Sequence, residues 1–171
     1  MTKPHNRRTI IAYASVLALA GGLTWSLRDV GRAKPLPGWI GRVEKVIDGD
    51  TVWIRRGDVT TKFRLHAADA PEHDQPFGPE AKDWIAREII GSDVRVVEGT
   101  KSYDRIVADV YLGRRWINKE LIERGYAMLD RRYSHDKELI AAEADAKAAR
   151  RGLWADPSPE EPWLYRKQKS K

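Results

Sequence analysis

The chain has no cysteine among its 171 residues, which excludes disulfides, thiolate metal sites and thiol nucleophiles and leaves the redox compartment unread. Any metal must then be held by oxygen donors or by histidine. The four histidines, His5, His66, His73 and His135, are scattered without ligand spacing, so a zinc site has no support. No internal repeat is visible. A length of 171 residues with 42% hydrophobic and 33% charged side chains suits one ordinary domain, excluding a disordered tail protein and a large multidomain enzyme. A strong charge excess is lacking as well. The net charge of +6 leans toward polyanionic partners, yet without Lys3, Arg7 and Arg8, which precede any acidic residue, the remainder carries only about +3. The placement of charge, rather than its sum, has to carry a case for nucleic acid.

One long hydrophobic run is present. Thr9 to Leu27 extends for 19 residues without a charge, about 28 Å as a helix, against a hydrocarbon core of about 30 Å. Ala18-Leu19-Ala20 offers a small-x-small cleavage site, whereas Leu23, Trp25 and Leu27 prolong the apolar run beyond it. An uncleaved membrane anchor and a cleaved export signal both fit, while a buried core helix would have to be apolar on nearly every face. Arg28, Arg32 and Lys34 follow the run, so basic residues flank both ends and orientation is weakly specified. The chain divides into a signal or anchor with flanks over 1–32, a linker over 33–38 with two prolines and a glycine, a folded domain over 39–155, and a basic, proline-containing tail over 156–171. Export is expected, with the domain membrane-anchored, periplasmic or secreted, and monomeric.

Within the domain, strand-forming runs at 40–47, 51–56 and 60–67 are separated by the turns Asp48-Gly49-Asp50 and Gly57-Asp58, which predicts a meander. Gly78-Pro79 opens a helix to Ile90, with Trp84, Ile85, Ile89 and Ile90 on one face. Two more strands follow at 94–97 and 106–112, then a helix over 116–126 that buries Ile117, Leu121 and Ile122 and ends at Gly125. Ser134 is a plausible N-cap for an alanine-rich helix ending at Gly152. Five short strands with helices after the third and fifth indicate an α+β, mainly β fold: a five-stranded OB barrel with about three packed helices, preceded by one N-terminal hydrophobic helix.

Chemistry concentrates in three segments. In Val46-Ile-Asp48-Gly49-Asp50-Thr51-Val52 two carboxylates flank a glycine, and hard divalent cations take oxygen ligands; from this segment alone, a hairpin whose aspartates only satisfy the turn is the more common reading. In Phe63-Arg64-Leu-His66-Ala-Ala-Asp69-Ala70-Pro71-Glu72 a strand presents Arg64 and His66 on one face and runs out into Asp69 and Glu72; taken alone, it reads also as a solvated arginine and a turn. Tyr103-Asp104-Arg105 starts the fifth strand, or is a charged loop.

Together these segments resemble the staphylococcal nuclease (thermonuclease-like) family over roughly Ile40 to Trp154, in the family's own order. Gly78-Pro79-Glu80-Ala81, Asn118-x-x-Leu121 with Gly125-Tyr-Ala, and Ala149-Arg-Arg-Gly-Leu-Trp154 are similar to further family features. The resemblance implies a Ca2+-dependent phosphodiesterase that acts on DNA and RNA with little sequence specificity and leaves 3′-phosphate ends. Asp50 and Asp69 would ligate Ca2+ through carboxylates and Ala70 through its carbonyl, with Asp48 close by. Arg64, Glu72 and Arg105 would be the catalytic set, and Tyr103, Tyr133 and Arg131 would contact substrate. That assignment agrees with phosphoryl-transfer chemistry, which needs a positioned water and compensation for charge on the equatorial oxygens.

Asp104 stands where the best-known members carry glycine, the 73–77 loop is short, and Arg131 replaces a tyrosine; none of these removes a ligand or a catalytic residue. Asp104 is expected to point to solvent, because neighbouring strand residues face opposite sides. Two other readings remain for the same barrel. One is a catalytically silent nucleic-acid or protein-binding module, which the complete set Asp50, Arg64, Asp69, Glu72 and Arg105 argues against. The other is an envelope accessory protein for polysaccharide export.

Overall fold

The computed structural model describes residues 37–102 and 104–170. The hydrophobic run at 9–27, residues 33–36 of the proposed linker, and Tyr103 lie outside the described residues. Among those described, no helix is long and apolar enough to cross a membrane.

Three antiparallel strands open the domain: β1 (Trp39–Asp48), β2 (Thr51–Arg56) and β3 (Val59–Leu65). After the short strand β4 (Ala68–Asp69) and helix α1 (Gly78–Ile89), β5 (Asp93–Ser102) pairs with β1, and β6 (Arg105–Leu112) pairs with β5. A parallel pairing of β3 with β6 closes the sheet into a five-stranded OB-type barrel. The short strand β7 (Arg115–Trp116) adds to the β6 edge and leads into α2 (Ile117–Glu123). Strand β8 (Met128–Leu129) pairs with β4, and α3 (Lys137–Ala148) and α4 (Pro162–Lys169) follow.

Alternation along the strands sends Val43, Val52, Ile54, Phe63, Leu65, Val94, Val96 and Val110 inward, all at most 1% exposed. Ile85 and Ile89 of α1, Leu121 and Ile122 of α2 and Leu139 of α3 cover the barrel and are fully buried, each burial contributing about 1.5–3 kcal/mol. Asn118 supplies the polar tie. Its Oδ1 accepts from the Val110 backbone N–H at 2.9 Å, and its Nδ2 donates to the carbonyls of His66 and Ala108, both at 3.1 Å. Helix α2 is thereby locked to the seam where β3 meets β6.

Besides shifts at element ends, among them α3 stopping at Ala148 rather than Gly152, four details depart from the sequence expectation. Helix α1 stops at Ile89; Ile90 adopts an extended backbone (ψ 133°) and is 47% exposed rather than on the buried face. Strand β5 runs ten residues, because its polar second half, Glu98 to Ser102, is held by pairing with β6 across a register shift. The N-cap of α3 is Asp136, whose carboxylate accepts from the Glu138 N–H at 2.7 Å; Ser134 Oγ accepts from the Asp136 N–H instead. The fourth departure is at the end of the chain, where Pro162–Lys169 forms a docked helix instead of a tail. Pro162 at its start is a conformationally favoured first-turn residue.

Candidate active site

Register brings the three motif segments to one edge of the barrel. Thr51 pairs with Arg64 across β2 and β3, so the Asp48–Asp50 turn lies beside Arg64. The parallel pairing of Phe63 with Ile106 places Arg105 next to that same edge. Strand β4 then carries Asp69 back over it, and the chain leaves through Ala70, Pro71 and Glu72.

Two glycines permit this approach. A Cβ on Gly49 would lie 2.6 Å from the Cβ of Ala70 and 2.8 Å from that of Ala81, so the Asp48–Asp50 turn is pressed against both α1 and the Asp69–Glu72 segment. A Cβ on Gly78 would come 1.8 Å from the Glu72 carbonyl oxygen, so the start of α1 packs directly on the backbone of Glu72.

Arg64 is the hub. Its Nη1 donates to Asp50 Oδ1 at 2.8 Å, and its Nη2 donates to Asp69 Oδ1. One guanidinium fork therefore spans both aspartates, whose residues are 2% and 0% exposed. Burial opposes the charge on Arg64, but Asp50 and Asp69 outweigh it and raise its pKa. Asp50 also accepts from the Ala70 N–H at 2.9 Å and from Thr51 Oγ1 at 2.9 Å. Even so, burial, with Asp48 adding to it, pushes the Asp50 carboxyl up to about 6. Its negative charge is incompletely offset.

A cavity of about 260 Å³ opens at these groups, lined among others by Asp48, Asp50, Arg64, Glu72 and Arg105. Ala70 and Tyr133 also face it, and Tyr133 is 69% exposed. A second groove of about 590 Å³ shares Arg64, Arg105 and Tyr133 with it and continues along β5 and β6. Asp104 lies in the turn before β6, 70% exposed, and accepts from Lys62 Nζ at 2.9 Å, so it faces solvent as expected.

Arg131 is not brought to the cavity. Its Nη2 donates to the buried Glu143 of α3 at 3.0 Å, and it lines a separate groove beside Trp163. Glu143 is held in turn by the Leu129 N–H and by Lys147, which explains why Arg131 turns inward toward α3. Its neighbour Arg132 faces the cavity instead, with Asp130 accepting from its Nε and Nη2 at 2.9 and 2.6 Å.

Sequence reasoning missed Arg166. From α4, its Nη1 donates to Glu72 Oε1 at 2.8 Å and its Nη2 to both oxygens of Asp69, at 3.0 and 2.8 Å. Burial opposes the Arg166 charge, but its bonds to Asp69 and Glu72 prevail and raise its pKa. The available signal was the cluster Trp163-Leu164-Tyr165 after Pro162, more apolar than a solvated tail requires.

The donor set fits a hard divalent cation. Two buried carboxylates converge within the span of one guanidinium, a third, Asp48, lines the same cavity, and the charge of Asp50 is under-compensated. Among the described residues no three His, Cys, Asp or Glu side chains already surround a common metal position. A cation here would use two carboxylates, a backbone carbonyl and water, the open oxygen-rich sphere calcium tolerates.

Similarity to known proteins follows the same segments. The family model described as staphylococcal nuclease homologue matches residues 62–156. A protein of Haemophilus influenzae described as an uncharacterized endonuclease is 38% identical over 129 residues, covering 74% of this chain and 72% of that protein. An Escherichia coli protein with the same description is 32% identical over 131 residues, 75% of this chain and 86% of that one. Staphylococcal-like nuclease CAN1 of Arabidopsis thaliana is 34% identical over 109 residues, 63% of this chain but 34% of the plant protein. The match therefore covers about a third of the plant protein's length.

Proposed function

This chain belongs to the family of staphylococcal nuclease homologues and is a nuclease, and from that premise we propose that it is an exported, Ca2+-dependent phosphodiesterase. It cleaves DNA and RNA with little sequence preference, leaves 3′-phosphates, and acts as a monomer. The observation that supports this reading is that Arg64, Glu72 and Arg105 line one cavity with the buried Asp50, while Arg64 also bonds to the buried Asp69.

The chemistry follows from those side chains. Glu72 accepts a proton from the attacking water, whose oxygen bonds to phosphorus while the bond to the 5′-oxygen breaks, and the departing oxygen takes a proton from solvent to leave as the 5′-hydroxyl. Arg64 and Arg105 present planar donor forks to the phosphoryl oxygens, where negative charge accumulates; lysine lacks that fork. Asp50 and Asp69, with the Ala70 carbonyl, would hold Ca2+. When bound, the ion supplies Lewis-acid polarisation of a phosphoryl oxygen. Exposed Tyr133 offers a stacking face to a base, which accounts for low sequence preference. The uncharged run at 9–27 supports export.

Hydrolysis of single-stranded DNA in Ca2+ against EGTA tests the proposal. Glu72→Gln should lower the rate about 10²–10⁴-fold, and Arg105→Ala about 10²–10³-fold. Equal rates in wild type and both variants would refute it, and calcium-independent hydrolysis would refute the cofactor.

A further inference from the structure

Helix α4 is fastened to the loop that carries Glu72. Gln75, 3% exposed, accepts from the Glu72 N–H through Oε1 at 3.1 Å and donates through Nε2 to the Glu160 carbonyl at 2.7 Å. Tyr165 donates its hydroxyl to the Asp74 carbonyl at 3.2 Å, and Lys169 pairs with the Asp74 carboxylate. These bonds place the backbone of Arg166 over the cavity independently of what its guanidinium touches.

The guanidinium then joins two groups with different duties. It bonds to Glu72, the water-activating carboxylate, and to both oxygens of Asp69, a cation ligand. Asp69 Oδ1 also receives Arg64. Asp69 Oδ1 thus accepts from both guanidinium groups and Oδ2 from Arg166, so three of about four lone-pair sites are taken and a divalent cation ligating Asp69 competes with these donors. Arg64 is the harder to displace: its side chain is 20% exposed and held by Asp50 as well. Arg166 is 38% exposed and reaches Asp69 from a helix at the surface.

We propose that Arg166 is a positioning residue which holds Glu72 and Asp69 together in the cation-free protein and yields Asp69 to an arriving divalent cation while keeping Glu72. This rests on the nuclease reading for the duties of the two carboxylates. A charge of +1 at Asp69 is exchanged for one of +2, so the carboxylate stays compensated throughout. The C-terminal helix is consequently part of the active site.

Calcium titrated calorimetrically into the full chain, without substrate, tests it. Arg166→Gln removes a competitor for Asp69 and should bind Ca2+ on the order of tenfold more tightly than wild type, the equivalent of one charge-assisted hydrogen bond. Arg166→Lys keeps the charge but loses the fork, and should fall between the two. Arg132→Gln removes the same charge from the same cavity without touching Asp69, and should tighten binding much less. Binding by Arg166→Gln no tighter than wild type, including none by either, overturns the proposal. So does equal tightening in Arg132→Gln, which would reduce the effect to net charge. If these affinities come out as expected while wild type cleaves no nucleic acid, the functional reading fails and the competition at Asp69 stands.

Discussion

The Ala70 backbone N–H donates to Asp50 Oδ2 at 2.9 Å, which makes the turn between β1 and β2 and the end of β4 a single unit. A buried carboxylate fixed in this way is organised before any cation arrives. Calcium at about 100 times its dissociation constant should therefore stabilise the wild type by about 2.7 kcal/mol. Asp50→Asn, of the same shape but without the charge, should lose most of that gain. Thermal melts in Ca2+ and in EGTA provide the check, and a wild-type midpoint indifferent to Ca2+ would count against a calcium site.

Gly49→Ala tests the close packing behind the site. The new methyl would meet Ala70 and Ala81 at 2.6 and 2.8 Å, distances that force the turn to move. Destabilisation of about 1–3 kcal/mol is expected from overpacking, with loss of hydrolysis because Asp50 moves with the turn. Urea denaturation alongside a nuclease assay measures both, and a variant with native stability and rate would show the turn to be freer than the packing implies.

His66 makes stability depend on pH. Its hydrogen bond to Asp109 raises its pKa above the ordinary 6.5, against partial burial, and its Nε2 lies 3.2 Å from the Tyr133 carbonyl. A raised folded-state pKa means that the folded form holds the proton more tightly than the unfolded chain. The resulting stabilisation is fully present below about 6.5 and is lost as pH rises through the higher folded value. Chemical denaturation across this range should show that decline in wild type and a flatter profile in Asp109→Asn. Identical profiles would remove His66 from the account.

Asn118→Leu should be among the more damaging core substitutions. It keeps the volume but strands the Val110 N–H and the His66 carbonyl at the closing seam of the barrel, and leaves the Ala108 carbonyl with the His66 N–H alone. A loss of about 3 kcal/mol is expected from these unsatisfied groups, read from the urea midpoint. A loss under about 1 kcal/mol would mean that the seam closes without the amide.

Local pattern alone carried a good part of the molecule. Val43, Val52, Ile54, Phe63 and Leu65 alternate as buried strand residues should, and Ile117, Leu121 and Ile122 mark one helix face. The motif residues Asp50, Arg64, Asp69, Glu72 and Arg105 were candidates through the family resemblance of their segments, each of which taken alone also reads as a turn or a charged loop. Less legible were features set by partners remote in the chain. Arg131 and Arg132 are adjacent and chemically identical, yet one pairs with Glu143 of α3 and the other faces the cavity. Nothing local distinguishes them.

The amino-acid order by itself indicated the barrel and three of its helices, because periodicity and turn chemistry act over a few neighbours, and its family resemblance named five candidate site residues. Only the folded chain decided that Arg166, 97 residues beyond Asp69, shares that carboxylate with Arg64. Such a contact follows from how α4 docks on the Glu72–Gln75 loop, a matter of long-range packing that no short-range pattern encodes.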